Sequence, residues 1–84
     1  MLPMARPSPT HSGSKELAAL GKAIRGLRLE TGLSQEALAD EAGIDRSYMG
    51  GIERGEHNVA LINLVKIAKA LETTTAELLS KAKL

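Results

Sequence analysis

The chain contains no cysteine, no phenylalanine and no tryptophan, and a single tyrosine, Tyr48. Without Cys there is no disulfide, no thiolate metal site and no Cys nucleophile. With one aromatic ring there is no platform for stacking successive bases, which excludes the sheets that bind RNA or single strands in that way. Long apolar runs are missing too. The longest span four residues, as in Leu17 to Leu20, whereas a membrane helix needs about twenty. No signal-peptide core is present either, so the expectation is a soluble, cytoplasmic protein with no membrane partner. Neither sign of charge dominates: 11 Lys and Arg face 10 Asp and Glu, a net charge of +1. Any nucleic-acid surface must therefore gather its positive charge on one face. His11 and His57 lie far apart. There is no paired carboxylate in a plausible cleft, no Gly-rich phosphate loop and no metal-ligand spacing. No enzyme, metal or cofactor is expected.

What remains is 84 residues, 43% apolar and rich in Leu and Ala. That is enough for one small core, and it suits close-packed helices better than strands. Residues 1–14 hold all three prolines, several Ser and Thr, and no acid. They read as a disordered arm. Residues 15–84 read as one all-α domain of five helices.

Leu17, Leu20, Ile24 and Leu27 recur at helical spacing, and Gly32 is placed to end that first helix. Ser34 fits an N-cap for a second helix of about 35–41, with Leu33 and Leu38 as the ends of a hydrophobic staple. Gly43 stops it. Asp45 caps a third helix, about 46–54, which ends at Gly55. A fourth, about 60–72, is expected to bury Leu61, Leu64, Val65, Ala68 and Leu71. It has no Ser or Thr at Ala60, so Asn58 is the substitute cap. Thr74 with Glu77 forms a capping box for a fifth, about 75–83.

Two short helices joined by a tight Gly-containing turn, residues 34–55, make a helix-turn-helix pattern. The stretch LSQEALADEAGIDRSYMGGIERG carries more. Ser34-Gln35-Glu36, Leu38-Ala39, Ala42-Gly43-Ile44, Ser47 and Ile52-Glu53-Arg54-Gly55 resemble the lambda-repressor/Cro-like (Xre) helix-turn-helix family. VALINLVKIAKAL and TAELL are similar to its fourth and fifth helices. The resemblance covers roughly residues 16–82. IDRSYMGGIERGEHN looks most like the controller proteins of restriction–modification systems. The family implies a homodimeric transcriptional regulator that binds double-stranded DNA. A DNA-binding antitoxin of a toxin pair is the competing reading, although it needs a further partner-binding segment. No small-molecule effector is evident.

In the third helix Met49, Ile52 and Glu53 fall on one side, and Arg46, Ser47 and Gly50 on the other, free to enter a groove. A recognition helix, here about 45–54, reads bases near its N-terminus. Arg46 is the long donor there, able to grip a guanine edge; the alternative is a solvated arginine. Ser47 is a base or phosphate contact, or a local hydroxyl. The expected contacts to the DNA backbone are Ser34, Gln35, Tyr48, Arg54, His57, Asn58 and Arg28, with Gln35 placed there by the resemblance. Arg6 in the arm is a further candidate, for the minor groove. The resemblance also sets Arg28 opposite Glu53 as an ion pair. Gly50-Gly51 departs from good helix chemistry, at about 1 kcal/mol per residue. The dimer interface is expected from Leu78, Leu79 and Ala82: of the two adjacent leucines one should pack inward, and the other, with Ala82 or the end of helix four, should face a partner.

Overall fold

The computed structural model describes residues 14–84. Of the expected arm, all but Ser14 lies outside the described residues, Arg6 included. Five helices follow in order: α1 (Lys15–Thr31), α2 (Gln35–Ala42), α3 (Arg46–Glu53), α4 (Leu61–Ala70) and α5 (Thr75–Lys81). No strand forms among the described residues.

Polar side chains open four of the helices. Ser14 accepts from the Leu17 N–H, Ser34 from Ala37, Asp45 from Tyr48 and Thr74 from Glu77, at 3.0–3.3 Å. Each satisfies one N–H that its helix leaves unpaired. Ser14 thus belongs to the folded domain rather than to the arm. At α4 the cap position is Ala60, which makes no side-chain bond. Asn58 does not take over, because it lies exposed two residues before that position.

All five helices close with one device. In α3 the Glu56 N–H donates to the Gly51 carbonyl at 2.9 Å and the Gly55 N–H to Ile52 at 3.0 Å, the paired bonds of a Schellman motif. The same pair recurs after α1, α2, α4 and α5. It requires a left-handed residue. Glycine fills that position at Gly32, Gly43 and Gly55, whereas Glu72 (φ 57°) and Lys83 (φ 61°) adopt it with side chains. This is why α4 and α5 stop earlier than their apolar pattern implied.

α2 packs against α3 and α4, α1 against α3 and α5, and α4 against α5. The centre is built from Ile24, Leu38, Met49, Ile52, Ile67 and Leu78, all essentially sealed from solvent. Two expectations about burial need correction. On α4 the buried stripe is Leu64, Ile67, Ala68 and Leu71, while Leu61 is 70% exposed and Val65 is half-buried. That helix is apolar on more than one side, and one side can meet the core. On α5, Leu78 is wholly buried, Ala82 is buried and Leu79 packs partly against the core. Leu78 and Ala82 are therefore used inside the monomer, and α5 does not offer them to a partner.

Candidate nucleic-acid interface

α3 is short, and its own sequence holds it poorly as a helix. A frame from three other segments fixes it. Arg28 of α1 grips Glu53 with two bonds, Nε to Oε2 at 2.8 Å and NH2 to Oε1 at 3.1 Å. Its NH1 donates to the Leu33 carbonyl at 3.1 Å, in the α1–α2 connection. Gln35 of α2 adds a bond from Nε2 to Glu53 Oε1 at 3.2 Å. The Arg28 and Glu53 side chains are 11% and 4% exposed. One carboxylate thus ties the end of α3 to α1 and to the start of α2. The expected ion pair is present. Arg28 is thus part of the frame, and uses three of its five N–H donors within the protein, one from each guanidinium nitrogen.

Arg46 and Ser47 stand exposed at the N-terminal end of α3. Gly50 does not, although it shares their side of the helix. Gln35 and Arg54 lean over it: a Cβ at Gly50 would lie 3.1 Å from both Gln35 Oε1 and Arg54 NH1. It contributes space for those two side chains, not an edge of its own. Gly51 is buried for a different reason. The His57 imidazole lies against it, and a Cβ there would collide with the ring.

That packing corrects the expectation for His57. His57 is 5% exposed, and its Nε2 is buried without a hydrogen-bond partner. Tyr48 is buried beside it, with the two rings edge-to-face at 4.9 Å. Its hydroxyl accepts from Asn63 Nδ2 at 3.4 Å. Both side chains brace the loop after α3 against α3 and α4, so the His57 imidazole is not presented as a phosphate donor, whereas the Tyr48 hydroxyl, an acceptor in its bond to Asn63, keeps its O–H to donate. Ser34, Arg54 and Asn58 are exposed, and Gln35 is half-buried. The exposed or half-buried polar donors around α3 are Ser34, Gln35, Arg46, Ser47, Arg54 and Asn58, with the exposed carboxylate of Asp45 at its cap.

A family model described as helix-turn-helix matches residues 24–78. The control protein C.SmaI of Serratia marcescens is 44% identical over 62 residues, covering 74% of this chain and 74% of its own length. The control protein C.MunI of a Mycoplasma species is 46% identical over 61 residues, covering 71% and 82%. Among solved structures, the restriction–modification controller C.AhdI of Aeromonas hydrophila superposes with a TM-score of 0.73 at 52% identity. The match covers 74% of this chain and 94% of that one. The chain belongs to the Xre-type helix-turn-helix family of DNA-binding transcription regulators.

In this helix-turn-helix the unit is α2, the Gly43 turn and α3. Two participants were not singled out from the sequence. Asn63 is one, since nothing in its neighbourhood announces a bond to Tyr48 fifteen residues earlier. Glu56 is the other: it accepts from Arg54 Nε at 2.8 Å and from NH2 at 3.2 Å. The opposite charges two residues apart were visible, but their meeting depends on the left-handed turn at Gly55. The guanidinium holds the Glu56 carboxyl below its usual range, and the carboxylate raises Arg54 in turn.

Proposed function

We propose that the chain acts as a homodimer on a palindromic operator, with α3 as the recognition helix in the major groove. The observation that carries this is the contrast along α3. Arg46 and Ser47 are exposed at its start, residues 48–52 are buried, and Glu53 is clamped. A recognition helix presents the side chains at its N-terminal end to base edges. Arg46 supplies a rigid two-donor fork for a guanine. Ser34, Gln35, Arg54 and Asn58 flank it as contacts to phosphates. The Ser34 oxygen accepts from a backbone N–H, which leaves its O–H to donate. The start of α2 adds the unpaired N–H groups that favour an anion.

Dimerisation follows from size. One eight-residue helix reads few base pairs and would compete poorly against the mass of non-specific sites. With Leu78 and Ala82 buried, the candidate surface moves to α4. Leu61 and Ile62 are 70% and 62% exposed, with half-buried Val65 one turn on. Similarity to C.SmaI, C.MunI and C.AhdI supports a regulator of restriction–modification genes.

Selection of bound sites from random duplex DNA, followed by footprinting, tests this reading. The expected site is a palindrome whose half-site centres lie about 34 Å apart. Arg46→Ala should cost about 1–3 kcal/mol and relax preference at one base pair per half-site, whereas Gln35→Ala should weaken all sequences alike. An unchanged site for Arg46→Ala, or a monomer on operator DNA by sedimentation, overturns it.

A further inference from the structure

Arg54 carries a built-in competitor. It sits two turns beyond Arg46 on the same side of α3, the i, i+4, i+8 row through Gly50, and its side chain is 59% exposed. Two edges of the guanidinium are already placed. NH1 lies over Gly50. The Nε/NH2 edge, which would match two oxygens of a phosphate, faces both oxygens of Glu56.

This is not a chance meeting of two loose surface chains. The Glu56 backbone is pinned by its N–H bond to Gly51, Gly55 takes the left-handed turn between the two residues, and the carboxylate is 30% exposed. The loop continues into the buried His57, which fixes it from the other side. The acceptor is therefore preorganised, and the Arg54 guanidinium lowers the tendency of its carboxylate to take up a proton.

We propose that Glu56 is an affinity-setting residue: it occupies the phosphate-matching edge of Arg54 in the free protein and must surrender it when DNA binds. The inference rests on the reading of Arg54 as a contact to the DNA backbone. DNA association then includes the loss of one internal ion pair per protomer. Exposed pairs of this kind shift equilibria by about 1.5- to 5-fold. For a dimer the factor is squared, so removing the competitor should tighten operator binding by about 2- to 25-fold.

A labelled duplex carrying the selected operator, titrated with the full chain, tests the proposal with three variants. Glu56→Gln keeps the shape and removes the charge, and should tighten binding by about that factor. Arg54→Ala should weaken it and lower the salt dependence by about one phosphate contact per half-site. In the Arg54→Ala background, Glu56→Gln should have no further effect. If Glu56→Gln tightens binding equally with and without Arg54, the carboxylate acts as a general repulsive charge and the proposal is overturned. If Glu56→Gln changes nothing while Arg54→Ala weakens binding, the competition fails but the placement of Arg54 on DNA stands. If Arg54→Ala changes nothing, both fall. Thermal melting of each variant, followed by circular dichroism, confirms that the fold is common to all.

Discussion

Replacing Arg28 with Met removes the cation while keeping most of its buried stem. The carboxylate of Glu53, 4% exposed, then retains a single side-chain donor, Gln35. Breaking a buried pair from one side costs about 3–5 kcal/mol, because the remaining charge is left uncompensated. The Gln35 bond and the 11% exposure of Arg28 point to the lower end, about 3 kcal/mol. For about 70 folded residues the whole stability is about 4–10 kcal/mol, so this variant should be near the edge of unfolding. Glu53→Met should cost less. The released guanidinium keeps its bond to the Leu33 carbonyl and is the more exposed partner, so it can turn toward water. The double variant has no orphan charge, and its cost should fall well below the sum. A coupling of about 1.5–3 kcal/mol is expected from urea titrations followed by circular dichroism, at one fixed protein concentration. A coupling under about 0.5 kcal/mol, with m unchanged, would refute the view that this pair holds α3 in place.

Three further outcomes follow from the packing. Gly51→Ala should gain about 1 kcal/mol in helix propensity but lose about 1–3 to the collision with His57, for a net loss; pairing it with His57→Ala should remove the collision, which a double-mutant cycle on urea midpoints will read. Glu72→Gly should raise the melting temperature by a few degrees, since a left-handed residue with a Cβ costs about 1–2 kcal/mol; an unchanged or lower value would sink the argument. Leu78→Asp should prevent folding altogether, by burying a charge in the core, whereas Leu61→Asp with Ile62→Asp should leave the helical spectrum intact and give a monomer by sedimentation.

The helices and most of their caps were legible because capping is local. Ser34, Asp45 and Thr74 each announce a start, and Gly32, Gly43 and Gly55 each announce a stop. The ends of α4 and α5 were not legible, since Glu72 and Lys83 take the left-handed position that the sequence gives no reason to assign to them. Burial on α4 was misread because apolar residues occupy more than one side, and spacing alone does not say which side meets a neighbour. At the site, the exposure of Arg46 and Ser47 followed from periodicity. The burial of His57 did not. It depends on an empty volume above Gly51, and that is visible only once α3 and its following loop are placed against each other.

That volume also accounts for the two glycines in α3. Judged by helix propensity alone, Gly50-Gly51 weakens the helix by about 2 kcal/mol. Both positions are nevertheless occupied by neighbours. His57 fills the space above Gly51, and Gln35 and Arg54 converge over Gly50. What the helix loses in local preference it regains as contacts with α2 and with the loop after it. Local rules are broken most often where function or a special contact requires it, and here the break lies beside the side chains assigned to DNA. The consequence is a helix whose order is set from outside. Arg28, Gln35 and Glu53 fix its end, His57 and Tyr48 brace its flank, and the exposed donors at its start are aimed by that frame. A side chain there that disturbs Gly50 would displace Gln35 and Arg54 together, so the same atom would alter both the frame and the surface it presents.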